Sequence, residues 1–302
     1  MKRFSDKISH HQYSSKRLDR FMRKIIETLV VLLLVASVAN AQEPDEIRDT
    51  HENLNAVLWI QTSAEYRMIT TSLYRGAYSS VKLALLKKNW TAAVEQAEMD
   101  VSALPPAIIV DIDETILDNS KAQALAIQKR GGFELAEWQK WVRRKEATPI
   151  PGALEFLKWA ASEKNGVTVF YVTNRSVDVE PATLENLKKF GFPLKKGVDV
   201  ILSRGEYGSE SKSSDKSSRR KHICENYRVI LMAGDDLGDF ITTEGNPEER
   251  VSASRQHENF WGERWIVLPN PTYGSWERAM FKGIKEDSEI LKAKFHKLKV
   301  FP

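Results

Sequence analysis

The sequence predicts an α/β protein with a doubly wound, mainly parallel sheet, a small helical cap and an N-terminal helical layer. Three observations carry this expectation. Short apolar, β-branched runs recur at 107–112, 166–174, 198–203, 228–236 and 264–270. They stay apolar along their length instead of alternating, as strands covered on both faces do. Helical segments such as PGALEFLKWAASEKN and EPATLENLKKFGF lie between them, and strands alternating with helices favour parallel pairing through crossovers.

From the N-terminus, residues 1–41 read as a signal peptide outside the fold. The run TLVVLLLVASVANAQ ends in Ala39-Asn40-Ala41, a small-x-small cleavage pattern, with Arg23 and Lys24 as its positive flank. The apolar stretch is shorter than the ~20 residues a spanning helix needs. Because MRKIIETLVV makes a complete signal sequence by itself, Met22 is the expected start, and the mature chain is expected to run from Gln42 to residue 302. That places the protein in the periplasm or outside the cell. Cys224 is the single cysteine, so no internal disulfide forms and no lipid-attachment cysteine follows the apolar run. A buried packing role is expected for it.

Residues 45–89 contain no proline and repeat aromatic and aliphatic residues at spacings of three and four, the pattern of a helical layer. Pro105-Pro106 then punctuates the chain before the first strand run. The segment at about 118–150, with GGFELAEWQKWVRRKEATPIP, is too long for a simple strand-to-helix connection and reads as a cap insertion. GEYGSESKSSDKSSRRKH reads as a loop leading into a helix.

Composition narrows the function classes. Of 302 residues 42% are hydrophobic and 28% charged, an ordinary globular balance that excludes a disordered chain. The formal net charge is only +4 with both signs mixed, which gives no warrant for a nucleic-acid partner. The basic loop KSSDKSSRRK fits better as a solvated loop that steers anions.

The residues that carry chemistry stand where the strand runs end. In such sheets ligands bind beyond the carboxyl ends of the strands. Asp111 and Asp113 close the first run, Thr173-Asn174-Arg175 the second, and Asp235-Asp236 with Asp239 the fourth; Lys216 lies in the loop before the helix that leads to the fourth. Several carboxylates side by side need compensation, and a hard divalent cation such as Mg²⁺ supplies it. A metal, a lysine and a hydroxyl together suit phosphoryl transfer, in which charge on the equatorial oxygens must be neutralised. One carboxylate of the D-x-D pair is then expected to attack phosphorus and the other to move protons.

These residues also resemble a known family. DIDET matches the nucleophile signature of the haloacid dehalogenase superfamily, VFYVTNR its second motif, DKSSRR its third and GDDLGDF its fourth. With LWIQTSAEYR, PGALEFL and LPNPTYGSWE, the ordered set is similar to the class C bacterial acid phosphatases, lipoprotein enzymes that also act as 5′-nucleotidases, over about 54–276. The resemblance implies Asp111 as nucleophile and Asp113 as general acid/base. It implies that Thr173 binds a phosphoryl oxygen and that Lys216 stabilises charge. Mg²⁺ would be held by the Asp111 carboxylate, the Asp113 backbone carbonyl and Asp235, with Asp239 supporting. Trp138 and Tyr273 would stack on a nucleotide base or aryl group, with Asn174 and Arg175 also expected at the substrate. The implied substrate is a small, nucleotide-like phosphomonoester, and a homodimer is implied by resemblance alone. The alternatives are a phosphatase of non-nucleotide monoesters and a non-catalytic periplasmic binding protein on the same fold. The family's lipid-modified cysteine is missing here, so a protein free of lipid is expected.

Overall fold

A computed structural model describes residues 51–208, 213–242 and 245–299. The expected signal peptide, the Met22 start and the Gln42 terminus lie outside the described residues. Among the described residues no helix is long and apolar enough to cross a membrane.

The helical layer is two helices, α1 (Leu54–Thr62) and α2 (Ala64–Leu86). Ser63 makes the break. Its backbone is extended (φ −81°, ψ 140°), and its hydroxyl accepts from Tyr66 N at 3.1 Å, capping α2. Tyr66, Thr70, Tyr74, Ala77, Val81 and Ala84 fall at spacings of three and four and are buried, so one stripe of α2 packs inward.

The chain then lays down β1 (Pro106–Val110), β2 (Leu117–Asp118), α3 (Ser120–Gln128), α4 (Leu135–Arg144) and β3 (Thr148–Pro149). It continues through α5 (Ala153–Ala160), β4 (Thr168–Ser176), α6 (Glu180–Phe190), β5 (Ile201–Arg204), α7 (Ser217–Cys224) and β6 (Arg228–Gly234). Last come α8 (Pro247–Arg255), β7 (Trp265–Val267), α9 (Ser275–Arg278) and α10 (Asp287–Lys297).

The main sheet has five strands in the order β5-β4-β1-β6-β7, and every pairing is parallel. The chain runs outward from β1 to β4 and β5, then crosses to β6 and β7 on the other side. β1 is therefore flanked by both halves, and the cleft beyond its carboxyl end is the switch point of the sheet. Ala107–Val110 and all of β6 are buried, which is why these stretches read as continuous apolar runs. Each large aliphatic side chain so buried contributes about 1.5–3 kcal/mol.

All five expected strand runs are strands, with shifted bounds. The outer two are the shortest: β5 begins at Ile201 and β7 keeps only Trp265–Val267. An outer strand has a ladder on one side only, so pairing stops where its single neighbour curves away. Between β1 and α5, helices α3 and α4 rise from an antiparallel ribbon in which Leu117 pairs with Pro149 and Asp118 with Thr148. Cys224 is buried at the end of α7, and burial, aided by Glu95, pushes its thiol up to about 12.

Candidate active site

The loop after β1 is held tightly. Asp111 N donates to Ala233 O of β6 at 2.9 Å, which keeps this residue on the ladder. Ile116 N and Leu117 N both donate to Ile112 O, at 3.0 and 2.9 Å, and Glu114 N donates to Leu117 O at 2.9 Å. To close this turn Glu114 adopts a left-handed backbone (φ 56°), uncommon for a non-glycine residue. Tyr74 of α2 braces the loop by donating its hydroxyl to Thr115 O at 2.8 Å.

Beside this loop, β6 is followed by Asp235 and Asp236, and a 3₁₀ turn (Leu237–Asp239) brings Asp239 back over the strand end. Asp236 caps this turn: its Oδ1 accepts from Gly238 N at 2.8 Å, while Asp239 Oδ2 accepts from Asp236 N at 3.0 Å. Only glycine fits at 234, because a Cβ there would meet Asp239 Oδ2 at 2.3 Å. Asp236 also accepts from Ser275 N at 2.5 Å and lies 3.6 Å from Arg250, so it ties the turn to the C-terminal segment.

Asp111, Asp235 and Asp239 each offer an oxygen within 4.8 Å of the others. Lys216, directly before α7, hydrogen-bonds to Asp111 and donates to Asp239 Oδ1 at 2.7 Å. Asp235 Oδ2 accepts from Asn270 Nδ2 at 2.8 Å, and Thr115 Oγ1 reaches its other oxygen at 3.3 Å. Two carboxylates thus share the Lys216 ammonium, and the third, Asp235, stands beside them. Burial, reinforced by the Asp239 and Asp113 charges, pushes Asp111 up to about 7 against the pull of Lys216. Burial and then the charges of Asp239 and Asp111 push Asp235 up as well. Burial opposes the Lys216 charge, but Asp111 and Asp239 outweigh it and raise this ammonium. The cluster therefore holds on to protons wherever no other cation balances it. An all-oxygen, over-anionic pocket fits a hard divalent cation, with Asp111, Asp235 and Asp239 as its carboxylates.

The side chain of Asp113 faces elsewhere. Arg175 Nη2 and Nε donate to its Oδ1 at 2.7 and 3.0 Å, Nε also reaches Oδ2 at 3.2 Å, and Asn119 Nδ2 donates to Oδ1 at 2.9 Å. Arg175 is buried, and its Nη1 donates to Thr183 Oγ1 at 3.1 Å. Arg175 is thus hydrogen-bonded to both Asp113 and Thr183. Asn174 is likewise engaged: its Nδ2 donates to Ser214 O at 3.0 Å and its Oδ1 accepts from Arg219 Nη2 at 2.9 Å. Both bonds reach the segment around Lys216, so Asn174 braces that loop. Arg219 also hydrogen-bonds to Thr173 O and donates to Asp215 O at 2.8 Å. Thr173 is buried at the end of β4, its Oγ1 accepting from Arg175 N at 3.1 Å.

The aromatic residues stand farther out. Trp138 of α4 is half-buried, its ring 6.3 Å from that of Phe133 and 6.0 Å from the Arg175 guanidinium. Tyr273, also half-buried, donates its hydroxyl to Glu114. Trp141, one turn along α4, packs against the core and donates its indole N–H to Asn119 Oδ1 at 2.8 Å. Sequence reasoning missed Glu114, Asn119, Asn270 and Arg219. Each lies inside or beside a quoted motif, and its contacts come from residues distant in sequence or from the shape of the loop.

A family model described as HAD superfamily, subfamily IIIB (acid phosphatase) matches residues 36–276. Among solved structures, the class C acid phosphatase from Bacillus anthracis with tungstate bound is similar, with a TM-score of 0.71 at 30% identity, covering 83% of this chain and 98% of that one. A second structure of the class C acid phosphatase from Bacillus anthracis gives 0.69 at 31% identity, with coverage of 83% and 98%. Acid phosphatase 1 of Solanum lycopersicum is 28% identical over 169 residues, 55% of this chain and 57% of the relative. The stem 28 kDa glycoprotein of Glycine max is 23% identical over 168 residues, 55% of this chain and 58% of the relative. The chain thus spans little more than half the length of the curated relatives it matches.

Proposed function

The chain belongs to the HAD superfamily, subfamily IIIB (acid phosphatase), and from that premise we propose that it hydrolyses phosphomonoesters through an aspartyl-phosphate on Asp111. One observation carries the reading: Asp111 sits beside Asp235 and Asp239 with Lys216 hydrogen-bonded to it. That arrangement has the carboxylate, the ammonium and the anionic pocket that phosphoryl transfer requires. Tungstate, bound in the similar Bacillus anthracis structure, is a tetrahedral oxyanion of the shape of phosphate and supports the same reading.

In the first step an Asp111 oxygen forms a bond to phosphorus while the ester P–O bond breaks, and Asp113 passes a proton to the departing oxygen. In the second, Asp113 takes a proton from water, the water oxygen bonds to phosphorus, and the Asp111–phosphate bond breaks to release phosphate. Lys216 and the Thr173 hydroxyl hold the non-bridging oxygens through both steps. Mg²⁺, the cation we assign to Asp111, Asp235 and Asp239 with the Asp113 carbonyl, supplies charge neutralisation for the phosphoryl oxygens.

The substrates we propose are 5′-nucleotides and aryl phosphates. Trp138 beside Phe133 offers an aromatic surface for such groups, and Tyr273 contributes a second ring; stacking of this kind is worth about 1–3 kcal/mol and tolerates different bases. Export through residues 1–41 to the periplasm or exterior, and a homodimer, belong to the same proposal. A panel of a 5′-mononucleotide, an aryl phosphate and glycerol phosphate, each with Mg²⁺, tests it. The reading predicts turnover of the first two above the third. Cleavage of glycerol phosphate alone would refute the aromatic preference, and no phosphate release from any would refute the activity.

A further inference from the structure

Asn119 directly follows β2 and is fully buried. Its backbone N–H donates to Glu114 Oε1 at 2.9 Å, and its side-chain Nδ2 donates to Asp113 Oδ1 at 2.9 Å. Its Oδ1 accepts from Trp141 Nε1 at 2.8 Å. An indole N–H only donates and a carboxylate only accepts, so a single orientation of the amide serves both neighbours. Trp141 belongs to cap helix α4, whereas Asp113 belongs to the loop at the end of β1. Asn119 thereby links the cap to the carboxyl assigned to proton transfer.

The link is selective between the two oxygens of Asp113. Oδ1 receives Asn119 Nδ2 at 2.9 Å, Arg175 Nη2 at 2.7 Å and Arg175 Nε at 3.0 Å, whereas among the described residues Oδ2 receives Arg175 Nε alone, at 3.2 Å. A carboxyl gripped this way at one oxygen presents the other. We propose that Asn119 and Trp141 are positioning residues that aim Asp113 Oδ2 at the leaving oxygen, so that the seat of the cap helix sets how well the departing group is protonated. The proposal rests on the phosphatase reading above.

Leaving-group dependence tests it, because a good leaving group departs without a proton and a poor one does not. We would measure kcat/KM with Mg²⁺ for 4-nitrophenyl phosphate and phenyl phosphate, which have nearly the same shape, in wild type, Trp141→Phe and Asn119→Ser. The ratio of the first substrate to the second is expected to rise about tenfold in both variants, a part of what a general acid supplies. Thermal melting checks folding; should Asn119→Ser not fold, Trp141→Phe, which keeps the ring and removes the N–H, decides alone. Equal loss on both substrates, or an unchanged ratio, overturns the positioning role while leaving the phosphatase reading intact. A wild-type protein that cleaves neither substrate overturns that reading and this proposal together.

Discussion

Two regions of the cleft, centred on residues only two positions apart, differ in how their carboxylates are compensated. Around Asp111 three carboxylates lie together and two of them share one ammonium, and burial, reinforced by the neighbouring carboxylate charges, raises Asp111 and Asp235. Around Asp113 a buried arginine and a buried amide match one carboxylate with direct donors. The first region is unbalanced until it gains positive charge, which suits a metal and an electrophilic phosphorus. The second pairs its carboxylate with direct donors, which fixes how that side chain is oriented. On the proposed mechanism, one D-x-D pair divides its labour: the strand end delivers both carboxylates, and different neighbours surround each.

The largest effect should come from destroying the unbalanced region. Asp111→Asn removes the attacking oxygen, and phosphate release should fall by on the order of 10⁴-fold or more. Without metal its melting temperature should equal or exceed that of wild type, since one crowded buried charge is gone. A large drop in melting temperature would mean that Asp111 is chiefly structural. Next, Asn270→Ala leaves Asp235 without its amide donor. Loss of such a supporting contact should weaken Mg²⁺ binding roughly 10–100-fold in a titration, and an unchanged affinity would remove Asp235 from the metal site.

A smaller effect is expected at the rim. Trp138→Ala should raise KM for a 5′-mononucleotide about tenfold with little change in kcat, the loss of one stacking surface. A fall in kcat at constant KM would instead place Trp138 in cap packing. The mildest test is pH. With Asp111 raised to about 7, the metal-free cluster carries a proton below that pH and loses it above. Cation binding requires the charged form, so apparent Mg²⁺ affinity should weaken as pH drops below about 7, and binding near pH 6 should release protons into the buffer. Calorimetry in buffers of different ionisation enthalpy reads this directly, and proton-neutral binding would contradict the crowded-cluster account.

Much of this was legible from local pattern. Apolar runs ending in acids marked β1 and β6, and the rule that ligands bind beyond the carboxyl ends of strands, with the family motifs, led to the expectation that Asp111, Asp235 and Lys216 converge. Other features depend on distant contacts or on backbone shape. The break at Ser63 lacks a proline or glycine to mark it, and it shows only when the hydroxyl is seen to cap Tyr66. Glu114 takes a left-handed conformation that its residue type does not advertise. Arg175 looks like a substrate ligand in sequence, yet folding turns it onto Asp113, 62 positions away. Asn119 meets Trp141 of α4 across 22 positions of sequence.

The central claim is that Asp111 itself takes the phosphoryl group. A single turnover with radiophosphate-labelled substrate, quenched in acid and digested, tests it most directly. The account predicts transient label on the peptide bearing Asp111, acid-stable and released by hydroxylamine. Label on another peptide, or product formed with no label on the protein at any quench time, would contradict it.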